Sequence, residues 1–286
     1  MNIIPRISVW TVRRVFKFRY GLASFTRRSR VFNAVVERVM FRGDDMILLP
    51  KDDVVRSRSR TVETDISVDS AGERTILPSQ VAKEIVSRAG EDIFIMNFCL
   101  CRLSSKCGDY PIENGCIFMG KGVHRIPPEY GRMATVEEAH RYLDRCAELG
   151  LVHIVGRNRL DSMWLNTGKT TDLMTLCNCC PCCCLWNMVR DISDEIGSQF
   201  RRMTGVELNA DPSRCDGCGT CTEWCFTTAI SVTDGGCSVD DSLCRGCGRC
   251  VEVCPQGALT LTFDESAVGT EIDRIGSLVN LSGNPL

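Results

Sequence analysis

One cysteine spacing occurs twice within a short stretch, and it limits the fold of this chain more than any other feature. Cys215, Cys218, Cys221 and Cys225 read C-x2-C-x2-C-x3-C, and Cys244, Cys247, Cys250 and Cys254 read the same, with Pro255 after the last. Three thiols two residues apart on a curled loop can supply three corners of a small tetrahedron. Gly217, Gly219, Gly246 and Gly248 lie among them, where a backbone without Cβ can curl closely and turn N–H groups toward sulfur. Zinc sites use paired C-x2-4-C units, so a zinc ribbon or unbound thiols fit this triple-plus-one run poorly.

The run resembles the two-cluster 4Fe–4S ferredoxin domain of the bacterial type, over Gly205 to Phe263. The resemblance implies two cubanes, each completed by the fourth cysteine of the other run. Cys215, Cys218, Cys221 and Cys254 would then hold one cluster, and Cys244, Cys247, Cys250 and Cys225 the second. Phe226 departs from the family, which usually has proline there. Ala229–Val232 and Ala258–Leu261 follow the two fourth cysteines at equivalent positions, an internal loop–helix–strand repeat. Cys237 matches no ligand position.

At 286 residues the chain is long enough for about two domains, and it carries 20 cysteines. No signal peptide is expected, because the N-terminus is charged throughout, and no apolar run approaches the ~18 residues of a membrane span. Reduced cysteines serving metal fit better than disulfides, which points to a reducing cytoplasm and an oxygen-poor, anaerobic setting. Charge is uneven although the net is −2. Residues 1–43 hold ten Lys/Arg against Glu37, while residues 205–264 hold three Arg against nine acids. In the basic segment Val31, Val35 and Val39 recur near helical spacing. It reads as a helix on anionic lipid (a peripheral membrane contact), as a basic patch for an acidic partner, or as an ordinary amphipathic helix capping the domain. No nucleic-acid motif accompanies the charge, so no nucleic acid is expected as partner.

Between these ends, Met46–Leu49 reads as a strand ending at Pro50. Ile66–Val68 and Thr75–Leu77 flank Asp69–Glu73 as a hairpin. Ser79 is the expected N-cap of a helix with Val81, Ile85 and Ala89 on one face, stopped by Gly90. Thr135 and Glu138 form a capping box for a second helix with Ala139, Leu143, Cys146 and Ala147 on its apolar face. Leu151–Val155 then reads as a strand. Cys146 reads as a buried structural thiol. Asn166–Thr170 ends like a phosphate loop, but Met163 stands where the first glycine of that motif belongs, and no dinucleotide motif is present.

Ten further thiols flank that helix–strand unit. Cys99, Cys101, Cys107 and Cys116 lie in a looped segment, and Cys177, Cys179, Cys180, Cys182, Cys183 and Cys184 crowd around Pro181, which rules out one unbroken helix. Together they are the candidate ligands of a further metal centre, an iron–sulfur cluster or a zinc site; the other readings are a thiol-redox centre and unmetallated core cysteines. Adjacent side chains diverge, so a single metal is expected to use neighbouring cysteines only with difficulty. The tandem is similar to that of cysteine-rich reductase subunits, but their C-C-G signature is absent because Pro181 follows Cys180. His124 lies near Cys116 and is read as a surface histidine before a ligand.

The expected fold is α+β, a cysteine-rich α+β domain followed by a two-fold-repeated ferredoxin domain. The expected divisions are 1–43 (basic amphipathic segment), 44–204 (cysteine-rich domain), 205–264 (ferredoxin domain) and 265–286 (tail, with one short helix). The whole chain is similar to multi-cysteine ferredoxin-domain proteins of anaerobic archaea and bacteria. The expected function is one-electron transfer through two 4Fe–4S clusters to a redox partner protein. A reductase whose active site lies in the Cys99–Cys184 region and a redox-sensing binding protein are the alternatives.

Overall fold

The computed structural model describes residues 4–57 and 78–281, so the expected hairpin around Asp69–Glu73 lies outside the described residues. Three helices open the chain, α1 (Ile4–Val15), α2 (Arg19–Arg28) and α3 (Arg30–Val36), and a π turn over Glu37–Phe41 leads into β1 (Asp45–Leu49). Then come β2 (Val55–Ser57), α4 (Pro78–Arg88), β3 (Ile93–Met96), α5 (Leu100–Ser105), β4 (Ile117–Met119) and β5 (Gly131–Met133). They are followed by α6 (Val136–Glu148), β6 (Val152–Arg157), α7 (Arg159–Leu165), β7 (Met174–Cys179), α8 (Asp194–Gly197) and β8 (Phe200–Arg202).

The large sheet has the order β5-β3-β4-β7-β6-β1-β8, antiparallel throughout except where β1 and β8 run parallel. Side chains alternate across a strand, so each strand feeds two cores. Ile47 and Leu49 of β1, Ile93 and Ile95 of β3, and Leu176 of β7 pack with Val81 and Ile85 of α4 and Leu143 of α6. Met46 and Leu48, on the opposite face, pack with Ile154, Cys179 and Ala23 of α2. Each such side chain contributes ~1.5–3 kcal/mol on burial.

Two helices behave largely as their sequences require. In α6, Glu138 N–H donates to Thr135 Oγ1 at 3.2 Å and Thr135 N–H donates to Glu138 Oε2 at 3.0 Å, closing the capping box. Ala139, Leu143 and Cys146 are buried, but Ala147 is exposed, one residue further round the helix than Cys146. Helix α4 buries Val81 and Ile85 as expected, yet Ser79 is not its N-cap. The helix already begins at Pro78, whose missing N–H costs nothing in a first turn, and Asp52 reaches in to accept the Ser79 N–H at 2.8 Å.

The C-terminal part contains β9 (Val206–Ala210), α9 (Thr220–Trp224), β10 (Ile230–Thr233), β11 (Gly236–Val239), α10 (Arg249–Glu252), β12 (Leu259–Phe263) and α11 (Val268–Gly276). β10 and β11 form a hairpin, and Cys237 sits in β11 opposite Val232. β12 pairs antiparallel with β9 and parallel with β2, so strand pairing crosses the division expected at residue 205. α11 buries Ile272 and Ile275, with Val279 buried just beyond it. Among the described residues no helix is long and apolar enough to cross a membrane.

Candidate metal centres

β7 divides the upstream thiols. Alternation along Met174–Cys179 sends Cys177 and Cys179 toward the layer of α1–α3, while Cys180, one position on, falls on the other side. Pro181 begins a turn that carries Cys182 and Cys183 round with Cys180, and Cys184 comes back beside Cys179. Cys99 is the N-cap residue of α5, Cys101 lies in its first turn, and Cys116 precedes β4. The ten candidate thiols therefore stand in two groups, not one.

The first group has six members. Cys116 and Cys177 approach to 3.6 Å between Sγ atoms, and Cys179 and Cys184 to 3.2 Å. Cys99 is pushed down to about 7 by a hydrogen bond with Cys101, burial working against this and Arg102 assisting. Cys179 is held well below the usual thiol range by hydrogen bonds with Cys177 and Cys184, with Arg102 and Arg249 also contributing. All six thiols line one apolar cavity of ≈ 520 Å³, with Phe16, Phe98, Trp164 and Trp186 among its other walls. Asp161 is also on this wall, accepting from Trp164 Nε1 and Thr175 Oγ1, both at 2.8 Å, and burial pushes its carboxyl up to about 6.

Cys107, Cys180, Cys182 and Cys183 form the second group, their Sγ atoms all within 4.8 Å of one another. Neighbouring cysteines were expected to diverge. Cys182 and Cys183 converge instead, because the turn after Pro181 is neither helix nor strand and does not impose the spread of either.

In the C-terminal part the cysteines of the two runs interleave. Cys215, Cys218, Cys221 and Cys254 surround one small cavity, and Cys225, Cys244, Cys247 and Cys250 surround another. Gly217, Gly219, Gly246 and Gly248 all have positive φ, between 65° and 80°, which L side chains rarely adopt. The repeat extends to hydrogen bonds on sulfur: Ala229 N–H donates to Cys225 Sγ at 3.2 Å, and Ala258 N–H to Cys254 Sγ at 3.3 Å. Four thiols around a cavity, with amides aimed at sulfur, fit the donor set of a cubane.

Residues 238–260 match a 4Fe–4S binding domain. The chain is thus an iron–sulfur protein, with that domain in its C-terminal part. Neither a curated protein nor a solved structure matches it.

Two buried arginines, not singled out by sequence reasoning, tie the groups together. Arg102 is fully buried and donates from Nη1 to the Asn178 carbonyl at 2.9 Å and from Nη2 to the Asn114 carbonyl. Burial disfavours its charge, but the thiols of Cys99, Cys180 and Cys179 more than offset this and raise its pKa above the ordinary arginine value. A guanidinium buried without anionic partners is costly, and Arg102 would offset the negative charge that metal-bound sulfur in either upstream group carries. Arg249 lies between Cys247 and Cys250 and donates from Nη2 to the Cys179 carbonyl at 3.2 Å. The available signal was position: one arginine directly follows the C-x-C unit and the other interrupts the second run.

Phe226, where proline was expected, packs in the same core as Cys179, Cys184, Trp186 and Phe200, and its ring lies 5.9 Å from the Arg249 guanidinium. Cys247 packs against that core too. Cys237 is buried beside Cys215 in the wall of the first ferredoxin-type cavity, its thiol pushed up to about 11 mainly by burial. Cys146 is buried beside the four-thiol group with its thiol also pushed up to about 11 by burial, and it accepts from Asn114 Nδ2 at 3.8 Å. No histidine joins these thiols. His124 is exposed and pairs with Asp92 at 2.7 Å, His140 bonds the Lys83 carbonyl, and buried His153 bonds Asn178 through Nδ1 at 2.8 Å.

Proposed function

We propose that this protein transfers single electrons between a redox partner and the six-thiol centre, by way of two 4Fe–4S clusters in its C-terminal part. Cys215, Cys218, Cys221 and Cys254 hold the outer cluster, and Cys244, Cys247, Cys250 and Cys225 the inner one. The supporting observation is the shared core: Cys247 packs with Cys179 and Cys184, and Arg249 bonds the Cys179 carbonyl. Bound clusters of this type exchange one electron at a potential set by charge, hydrogen bonds to sulfur and exposure. The chain supplies those controls through the Ala229 and Ala258 amides, through Arg249, and through the burial of Cys244 and Cys250. Cys218 is exposed, and the surrounding part of the chain is acidic, which suits a cationic partner at the outer end.

The experiment is iron and acid-labile sulfide per chain on anaerobically purified protein, with EPR of the reduced form. About eight irons belong to two cubanes, and more are expected if the six thiols hold a cluster. A total near four would sink the two-cluster reading. Loss of a signal on Cys179→Ser, with the ferredoxin-type signals kept, would identify the upstream centre.

A reductase reading is favoured by the apolar cavity against the six thiols. Its occupant would be an apolar electrophile, such as a disulfide reduced by two electrons and two protons to two thiols. Oxidation of a reduced viologen dye on adding such a disulfide tests it. The N-terminal layer favours a lipid contact: Ile7, Trp10, Val15, Phe18, Leu22 and Phe25 are exposed on basic helical segments, and Ile7, Val15 and Leu22 also line the cavity. An apolar substrate entering from a bilayer would meet that face first.

A further inference from the structure

We propose that Cys107, Cys180, Cys182 and Cys183 form a closed, mononuclear zinc site, distinct from the six-thiol centre and from the ferredoxin-type quartets. The inference does not depend on the electron-transfer reading.

The first argument is size. Four thiolates bound to one zinc at about 2.3 Å sit at the corners of a tetrahedron with edges of about 3.8 Å. Here Cys107 Sγ lies 3.6 Å from Cys182 Sγ, Cys182 Sγ lies 3.6 Å from Cys180 Sγ, and all four lie within 4.8 Å. A cubane places each thiolate on a different iron and so spreads them more widely. The two ferredoxin-type quartets line small cavities, whereas the four Sγ atoms of this group close to within 4.8 Å of one another.

The second argument is the loop. Cys180-Pro181-Cys182-Cys183 contains a C-x2-C unit, the spacing that zinc knuckles use. Cys183 N–H donates to Cys180 Sγ at 3.4 Å, and the Asp109 and Tyr110 amides bond Cys107. Such N–H donors would offset the charge of metal-bound sulfur. Cys107 comes from the loop after α5, so the site would fasten that loop to the end of β7.

The third argument is charge. Zinc with four thiolates carries two negative charges, and Arg102 is buried against Cys180 with its guanidinium already committed to this region. Binding breaks four S–H bonds, forms four Zn–S bonds and releases four protons to solvent. No electron moves, since zinc has no redox chemistry. The site would hold Cys177, Cys179 and Arg102 in place while the neighbouring six-thiol centre changes charge.

The test is zinc and iron content of the full chain, purified anaerobically, for the unaltered protein and for Cys107→Ser, Cys182→Ser and Cys146→Ser. One zinc per chain is expected in the unaltered protein and in Cys146→Ser. It should be lost in Cys107→Ser and Cys182→Ser, with the ferredoxin-type EPR signals unchanged. Zinc retained in both of those variants, or no zinc in the unaltered chain, overturns the proposal. A measurement without substitution guards against misfolded variants: protein grown with cobalt should show the visible bands of tetrahedral cobalt tetrathiolate. Iron, not zinc, at this site in zinc-replete growth also overturns it.

Discussion

Arg249 Nη2 donates to the main-chain carbonyl of Cys179 at 3.2 Å, joining the second cysteine run directly to the strand that carries the upstream thiols. The side chain is only 4% exposed, and its guanidinium also lies near the Phe226 ring. A buried cation here favours the more negatively charged state of whatever Cys179 and Cys247 hold. Arg249→Met keeps much of the apolar volume and removes the charge. The expected result is a fall in midpoint potential of the inner and upstream centres on the order of 60 mV, a factor of ten for one electron. The outer centre should move much less. EPR-monitored redox titration reads this, and equal shifts at all centres would exclude a local role.

Arg102 makes a different prediction, because its carbonyl partners are main-chain atoms of Asn178 and Asn114. Arg102→Met leaves both carbonyls without that donor, at about 1–3 kcal/mol each. It also leaves the thiolates of both upstream groups without their shared cation. Lower thermal stability is expected, together with loss of zinc and of upstream iron, while the C-terminal quartets keep theirs. Arg102→Lys should not rescue, since one ammonium cannot reproduce the planar fork across two carbonyls. Metal analysis of the two variants decides, and full metal content in Arg102→Lys would refute the geometric argument.

What was legible in the sequence was what spacing fixes locally. The α6 capping box with Cys146 on its buried face and the α4 stripe depend on residues close in the chain, and so does each C-x2-C-x2-C-x3-C run by itself; how the two runs share their fourth cysteines was an implication of the resemblance and not of spacing. The split of the ten upstream thiols was not legible, because it depends on which face of β7 each residue takes and on where the turn after Pro181 returns the chain. Arg102 was missed for a related reason. Beside a C-x-C unit an arginine reads as solvated surface, and only the packing of Asn114 and Asn178 around it removes it from water. Ser79 was misread because its N–H partner, Asp52, comes from a distant part of the chain.

Gly115 is a point where Cys116 depends on a missing side chain. A Cβ there would lie 2.6 Å from Met96 Cβ and collide with the Phe98 carbonyl. The Gly115 carbonyl also accepts from Asn178 Nδ2 at 2.9 Å and Tyr142 Oη at 3.0 Å. Gly115→Ala should therefore shift the main chain leading to Cys116, costing roughly 1–3 kcal/mol by overpacking. Upstream iron should fall while the ferredoxin-type EPR signals persist. Unchanged iron per chain would show that the loop relaxes without moving Cys116.

Asp44 gives stability a pH dependence with a definite sign. It is buried, accepts the Arg159 N–H at 2.7 Å through Oδ1, and among the described residues has no hydrogen-bond partner at Oδ2. Burial pushes its carboxyl from 3.8 up to about 8. The folded chain thus keeps a proton that the unfolded chain loses near pH 4. Stability is highest below the unfolded value and falls as pH rises toward the folded value, by up to about 1.4 kcal/mol per pH unit in that window. Asp44→Asn removes this contribution, so its advantage over the unaltered protein should grow between about pH 5 and pH 8. Anaerobic denaturant titrations at several pH values measure it, and parallel pH profiles for the two proteins would exclude it.

The N-terminal layer predicts binding to anionic bilayers. Trp10 is 57% exposed with the Arg14 guanidinium 4.2 Å from its ring, and Val31, Val35 and Val39 stay exposed on the following helical segments. Apolar side chains of this size would enter the headgroup boundary while neighbouring arginines meet lipid phosphates, each basic residue contributing about 1 kcal/mol near an anionic surface. The full chain should co-sediment with phosphatidylserine-containing vesicles at low salt and dissociate as salt rises. Joint Arg13→Glu and Arg14→Glu substitution should weaken binding at least about tenfold. Trp10→Ala should weaken binding to the same vesicles with the salt dependence kept, which separates apolar insertion from charge attraction. Equal binding to neutral and anionic vesicles would remove the electrostatic half of this reading. No binding to either would leave the exposed face for a protein partner.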